Sequence, residues 1–155
     1  RFPTARLMLA GTGPMQSKLQ RLSHELHVEP AVTFTGLIED VSQFYSALDV
    51  FVFPSLAEPL GSSLLTAMGY GLPVVAVGRG AVPEVIENER NGLLVPDPEA
   101  DQIAEATICV LSDATLARRL GERARLTVEQ RFSAERMVTQ TIKLYERVLC
   151  NRQKP

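Results

Sequence analysis

The residues best suited to chemistry lie in the segment SLAEPLGSSLLTAMGYGLPVV, residues 55–75. Glu58 supplies a carboxylate, and Gly61, followed by Ser62 and Ser63, is typical of the start of a helix. The first amides of a helix lack partners within it, and the helix dipole adds partial positive charge, so such a start favours a phosphate. A carboxylate there would repel a phosphate but could accept hydrogen bonds from sugar hydroxyls. Two interpretations stay open: a ligand-binding loop, or a buried helix preceded by a solvated Glu58.

The residues after Gly61 predict a helix with two different faces. Ser62, Thr66 and Tyr70 recur every four residues and form a partly polar stripe. Three apolar residues at the same spacing are predicted to face the core: Leu60, Leu64 and Met68.

The elements that would position these residues follow from the alternation of apolar runs with amphipathic helices. This alternation predicts an α/β fold, a Rossmann-like parallel sheet with helices on both faces. The predicted strands span residues 6–10, 31–35, 49–54, 73–77 and 92–96, and the third is apolar enough for a central strand. Beyond the fifth strand the pattern predicts a helical C-terminal tail, with Ser133 capping its last helix. One face of that helix would carry Val138, Ile142, Tyr145 and Leu149.

Three loops at the carboxyl ends of strands could converge on one ligand crevice, as in other open parallel sheets. They are GTGP after the first strand, GLIED after the second and PSLAEPLGSS after the third. Gly11 and Gly13 fit a nucleotide loop weakly, because a dinucleotide fingerprint needs glycine where Gln16 stands; a tight strand-to-helix turn is the alternative. No GxxxxGK[ST] pattern is present, which excludes a P-loop.

The second of these loops leads into a short helix that Asp40 is predicted to cap. The side chains expected to be buried by this helix are Val41, Phe44, Tyr45 and Leu48.

Composition and charge exclude several classes of function. The chain has 155 residues, which suits one domain, and its net charge of −2 gives no reason to expect a nucleic-acid partner.

His24 and His27 are predicted on a solvated helix face rather than in a metal site. Cys109 and Cys150 are predicted to be reduced packing residues of a cytoplasmic protein. The arginines between Arg118 and Arg152 predict a solvated basic surface, with contact to an anionic membrane or a partner as the alternative.

The order of the motifs resembles that of a known family. The segments LAGTGP, VTFTGLIED, YSALDVFVFPSLAEPLGSSLLTAMGYGLPVVAV, GAVPEVIENERNGLLVPDP and RFSAERMVTQTIKLYERVL together resemble the C-terminal half of a GT-B glycosyltransferase. The resemblance is to the retaining group 1 (family 4) enzymes and runs over nearly the whole chain. It implies a domain that binds a nucleotide-diphosphate sugar, while an N-terminal domain of the same parent chain holds the acceptor. No obligatory metal or cofactor is expected, and the parent would be cytoplasmic, with peripheral contact to the membrane face kept open.

The resemblance also assigns roles to residues. The family has two glutamates separated by seven residues, and the first matches Glu58, which would touch the sugar hydroxyls in the catalytic site without acting as a nucleophile. The donor-binding residues implied in the same way are Gly11, Gly13, Leu37, Ile38, Leu60, Gly61, Ser62, Ser63 and Thr66. Among these, Gly61, Ser62 and Ser63 match the phosphate-binding helix start, and Leu37 and Ile38 would flank the base.

Two departures from the family pattern limit these expectations. Thr66 stands where the family has its second glutamate, which holds the ribose hydroxyls. The family's diphosphate-binding arginine and lysine would precede Arg1, so we expect residues 1–155 to be one donor-binding domain of a longer chain, inactive by itself. The alternative function is a degenerate, non-catalytic domain with a role in regulation or assembly. Because threonine cannot replace a carboxylate that accepts from two hydroxyls, Thr66 also suggests a deoxyribose donor of the dTDP type.

Overall fold

The computed structural model describes residues 2–57 and 59–152, and its elements follow the predicted alternation. In chain order they are β1 Leu7–Ala10, α1 Gln16–Glu25, a short 3-10 helix Glu29–Ala31, β2 Val32–Gly36, α2 Val41–Ser46, β3 Phe51–Phe53, α3 Ser62–Gly69, β4 Val74–Val77, α4 Val82–Val85, β5 Leu93–Val95, α5 Ala100–Ser112, α6 Ala114–Arg131 and α7 Ala134–Arg152. All five predicted strands are present. Parallel strands, helices on both sides of them and a helical C-terminal segment confirm the predicted fold class.

The chain divides into two compact units, one ending at Phe44 and one beginning at Tyr45. In the first unit β1 and β2 form a parallel pair with Leu7 opposite Val32. The second unit holds a parallel three-stranded sheet in the order β3-β4-β5. Within this three-stranded sheet β4 lies in the middle, and its four residues are all buried. The prediction of a central third strand concerned a single sheet of five strands and stays a prediction. The assignment of the chain to one domain of a longer protein stays a prediction.

The core of the second unit lies where α5 and α6 pack on β4 and β5. Its buried residues are Val75, Val77, Val95, Val110 and Leu120. The continuous apolar run of β4 suits a strand covered on both faces, and the helical residues contribute one apolar stripe each.

Helix α6 approaches the turn after α3 very closely. A Cβ atom on Gly121 of α6 would lie 2.0 Å from the carbonyl oxygen of Gly71. Only glycine leaves room for this backbone-to-backbone contact, so Gly121 sets the distance between α6 and the end of α3.

Hydrogen bonds of the Asn91 side chain connect the turn before β5 to α6. Its side chain is buried and donates from Nδ2 to the carbonyl oxygen of Val85 at 3.1 Å and to Thr127 Oγ1 at 3.0 Å. Its Oδ1 accepts from the amide of Glu87 at 2.7 Å. The burial is stabilising because each polar atom of the side chain has a partner.

The predicted helix caps are present. Asp40 accepts from the amide of Ser42 at 3.0 Å and from Gln43 Nε2 at 3.0 Å, and Ser133 Oγ accepts from the amide of Arg136 at 3.2 Å. The hydrogen bonds from the Ser42 side chain and backbone and from Gln43 lower the pKa of Asp40.

Two burial predictions are wrong. Val41 is 49% exposed, although Tyr45 on the same helix is buried as predicted. Cys109 and Cys150 are free and exposed rather than packed. The apolar residues predicted to share one face of α7 are exposed, as are its other described side chains. A helical spacing identifies a face, but whether another element covers that face is decided by the tertiary arrangement.

Candidate functional site

The start of α3 has the geometry of an anion-binding helix terminus. Gly61, the residue before the helix, is buried and left-handed, with φ 74° and ψ 57°. The amide of Leu65 donates to the carbonyl oxygen of Gly61 at 2.9 Å, which closes the first turn. The amides of Ser62, Ser63 and Leu64 precede that bond, so they cannot be satisfied within the helix. Glycine is required here because a side chain is strained at this φ.

The exposed and buried side chains at the start of α3 and along it are those that the sequence predicts, with one exception. Ser62 and Ser63 are exposed, whereas Leu64 and Met68 are fully buried. Leu60 is 55% exposed, so the prediction that it faces the core is wrong. Leu60 lies in the loop before α3, and the helical spacing does not extend to it.

The hydroxyl group of Thr66 forms a hydrogen bond within its own helix. Its Oγ1 donates to the carbonyl oxygen of Ser62 at 2.8 Å, the usual bond of a threonine to the residue four positions earlier. The hydroxyl proton is therefore used within α3, and the oxygen is left only as an acceptor.

An open groove of about 410 Å³ runs between α3 and α6 beside Thr66. Its lining is Leu65, Thr66, Gly69, Tyr70 and Val128. The groove begins beyond the helix start, since Gly61, Ser62 and Ser63 are not part of it. Its lining is mainly apolar and has no charged side chain.

Glu58, the expected sugar-contacting carboxylate, lies outside the described residues. Its role stays a prediction.

The first unit gathers four other predicted residues at the carboxyl ends of its two strands. The amide of Gly11 donates to the carbonyl oxygen of Gly36 at 2.8 Å, which joins the end of β1 to the end of β2. Leu37 and Ile38 follow directly; Leu37 is 80% exposed and Ile38 is half-buried. A Cβ atom on Gly13 would meet nothing within 4 Å, so the packing of the described chain does not require glycine there. These residues belong to one unit, and Leu60 to Thr66 belong to the other.

The sequence did not predict the hydrogen bond made by Tyr45 or the ion pair at the end of β4. Tyr45 was predicted to be buried, but its hydroxyl donates to the carbonyl oxygen of Ser63 at 3.3 Å, which no local pattern indicates. Arg79, which follows β4, donates to Asp97, which follows β5, at 2.6 Å. Both side chains are about half exposed, so this pair contributes little to stability.

In residues 2–57 and 59–152, no group of three or more His, Cys, Asp or Glu side chains could hold a metal ion. Among the described helices, none combines the length and the apolar character needed to cross a membrane.

The model of the family described as "Glycosyl transferases group 1" matches residues 1–127. The chain belongs to this family. Among curated relatives, N-acetyl-alpha-D-glucosaminyl L-malate synthase of Bacillus anthracis is 34% identical over 145 residues, covering 94% of this chain and 38% of the relative. A GDP-mannose-dependent alpha-(1-6)-phosphatidylinositol monomannoside mannosyltransferase of Mycobacterium tuberculosis is 31% identical over 134 residues, or 81% of this chain and 35% of the relative.

Solved structures of GT-B glycosyltransferases have the same fold. Sucrose-phosphate synthase from Thermosynechococcus elongatus superposes with a TM-score of 0.87 at 33% identity, over 96% of this chain and 40% of that one. Anabaena HepE in complex with UDP superposes with a TM-score of 0.88 at 26% identity, over 93% of this chain and 41% of that one. HepE has also been solved in complex with UDP-glucose. The chain thus spans about two fifths of the length of these proteins, and the predicted membership of the group 1 family is confirmed.

Proposed function

We propose that this chain is the donor-binding domain of a retaining glycosyltransferase, and that it binds a nucleotide-diphosphate sugar. The observation that carries the proposal is the left-handed Gly61 at the start of α3, followed by amides that the helix cannot satisfy. A diphosphate is a suitable ligand because its negative charge is favoured by those amides and by the helix dipole. The complexes of HepE with UDP and UDP-glucose support the choice of ligand class.

The chemistry would be electrostatic. Breaking the bond between sugar and diphosphate leaves charge on the departing nucleotide, and amides already oriented towards that charge stabilise the transition state. Glu58 would orient the sugar through its hydroxyl groups. The parent chain would add an N-terminal domain for the acceptor, require no metal or other cofactor, and act in the cytoplasm, where peripheral membrane contact is one further option.

A substitution of Ser62 tests the ligand site with opposite effects on stability and binding. In Ser62→Asp, the new carboxylate interacts favourably with the helix dipole and should stabilise the fold by about 0.3–1 kcal/mol. The same charge should repel the diphosphate and weaken binding of UDP at least about tenfold, a loss of about 1.4 kcal/mol. Ser62→Asn is the matched control, since it has nearly the same shape without the charge. Calorimetry with UDP and urea unfolding measure the two effects.

Two results would overturn this proposal. One is the absence of binding by the wild-type chain to each of UDP, GDP, ADP and dTDP. The other is UDP affinity in Ser62→Asp equal to that of Ser62→Asn.

Thr66 could set the preference among nucleotides. Its hydroxyl proton is held by the carbonyl oxygen of Ser62, so the side chain offers ribose one neutral acceptor where a glutamate offers a charged pair of oxygens. A donor that lacks the 2′-hydroxyl, such as a dTDP sugar, loses less from this change. We expect Thr66→Glu to improve binding of UDP or GDP relative to dTDP. A strong preference for UDP or GDP that Thr66→Glu leaves unchanged would contradict this explanation.

The second candidate function is a degenerate, non-catalytic domain in regulation or assembly. It is favoured by the same residue, because Thr66 has no carboxylate to offer a ligand and its hydroxyl proton is already donated to the carbonyl oxygen of Ser62. The two functions differ in one measurement. Binding of a nucleoside diphosphate by the wild-type chain supports the donor domain, whereas binding that appears only in Thr66→Glu supports the degenerate one.

A further inference from the structure

Tyr45 contacts α3 at both of its ends. Its hydroxyl donates to the carbonyl oxygen of Ser63, in the first turn, at 3.3 Å. Its ring stacks on the ring of Tyr70, the residue that follows the helix, with centroids 5.3 Å apart and an interplanar angle of 22°. A residue held against both ends of a two-turn helix restricts sliding and rotation of that helix together.

The same ring joins α3 to the sheet. Tyr45 is 6% exposed, and its ring lies 5.8 Å from the ring of Phe51 on β3 at an angle of 49°. Aromatic pairs at such distances and angles add to the stabilisation from burial. Tyr45 therefore lies in contact with both β3 and α3, and couples the position of the helix to the strand that leads into the loop before it.

The hydrogen bond of Tyr45 is made to a peptide unit in the first turn of α3, where an anion would bind. The carbonyl group of Ser63 and the amide of Leu64 belong to one peptide unit, and the Leu64 amide is one of those that precede the first intrahelical bond. A donor on the carbonyl oxygen fixes the plane of this peptide unit. It also polarises the unit, so the N–H at the other side becomes a stronger donor.

The tyrosine keeps its proton under ordinary conditions. Burial raises the pKa of Tyr45 above its usual value, and the nearby Tyr70 raises it further. The hydroxyl is thus a donor to the Ser63 carbonyl throughout the physiological pH range.

We propose that Tyr45 is a positioning residue for donor binding: its hydroxyl holds the Ser63–Leu64 peptide unit so that the Leu64 amide can donate to the diphosphate. This inference rests on the proposed function, because it assumes that the start of α3 receives the diphosphate. Tyr45 acts through the helix and does not itself touch the ligand.

The experiment removes the hydroxyl and keeps the ring. Tyr45→Phe is compared with wild type and with Tyr145→Phe, which makes the same chemical change at an exposed tyrosine of α7. NMR titrations measure the Kd of the 155-residue chain for UDP and for inorganic pyrophosphate. We expect Tyr45→Phe to raise both values by about three- to tenfold, which corresponds to the loss of one ordinary hydrogen bond. Tyr145→Phe should leave both unchanged.

A second readout separates positioning from a general loss of structure. Without ligand, the amide proton of Leu64 should move upfield in Tyr45→Phe, since its peptide unit is less polarised, and stay in place in Tyr145→Phe. Urea unfolding shows whether each variant is folded under the conditions of the titration.

The outcomes distinguish this inference from the proposed function. If the wild-type chain binds UDP, a pyrophosphate Kd of Tyr45→Phe within twofold of the wild-type value overturns the role of Tyr45 alone. If no variant or wild-type chain binds a nucleoside diphosphate, the proposed function fails. An unmoved Leu64 amide proton in Tyr45→Phe refutes the coupling through the peptide unit in either case.

Discussion

The contact between Gly121 and Gly71 gives the sharpest prediction about stability. Glycine inside a helix is normally unfavourable, so Gly121→Ala in the middle of α6 would by helix propensity alone stabilise the protein by about 1 kcal/mol. The structure predicts the opposite sign. The new Cβ would lie 2.0 Å from the carbonyl oxygen of Gly71 and 3.1 Å from its carbonyl carbon, both backbone atoms that no side-chain rotation can move.

The magnitude follows from how far α6 would have to shift. An ordinary contact between these atoms is above 3 Å, so the overlap exceeds about 1 Å and α6 must retreat from α3 and β4, where Leu120 and Val75 are fully buried. Overpacking of a close-packed core costs about 1–3 kcal/mol, and a clash with backbone lies at the upper end. After subtraction of the propensity gain, we expect Gly121→Ala to lower the free energy of unfolding by about 2 kcal/mol.

The matched control is Gly69→Ala at the end of α3. A Cβ atom there would lie 4.0 Å from the nearest atom, Val128 Cγ1, which is an ordinary contact. Gly69→Ala should therefore leave stability unchanged or raise it slightly. Urea unfolding followed by circular dichroism measures both variants. A Gly121→Ala variant as stable as Gly69→Ala would refute the reasoning.

Two further predictions concern polar groups. Asn91→Leu should lower the free energy of unfolding by about 2–4 kcal/mol, because the buried side chain of Asn91 is the partner of the Glu87 amide and leucine fits the site poorly. A loss below about 0.5 kcal/mol in urea unfolding would contradict this. The lowered pKa of Asp40 means that its contribution to stability is present above its unfolded pKa and is lost as pH falls through the still lower folded pKa. Asp40→Asn should thus be less stable than wild type at pH 7 and equally stable near pH 2, and a difference that persists at pH 2 would show that charge is not the cause.

Local and periodic features were predictable from the sequence. The strands β1 to β5, the helix start at Gly61 and the caps at Asp40 and Ser133 each depend on a short pattern of side chains and backbone preferences. Family membership was predictable because it depends on the order of several motifs over most of the chain.

The remaining features depend on contacts between distant residues. The strand order places β4 rather than β3 at the centre of its sheet, although both are apolar. From the sequence alone Gly121 is an unfavourable residue for the interior of a helix, and only its contact with Gly71 explains why glycine is needed there. The hydroxyl of Tyr45 meets a carbonyl oxygen eighteen positions away, and its sequence context indicates only burial. Side-chain periodicity shows which residues face inward but not which atoms they meet.

The exposed side chains of α7 have a consequence for how the protein exchanges hydrogen with solvent. This helix spans Ala134–Arg152, and none of its described side chains is buried, so little besides its own backbone bonds and the Ser133 cap maintains it. In proteins most of the stability of a helix comes from tertiary packing of its apolar face, and the described side chains of α7 have no such burial. Its amides should therefore exchange through local opening, well before those of Val74–Val77, which become accessible only when the whole second unit unfolds. The chain would then show two separate protection levels, and loss of α7 would leave the slower level intact.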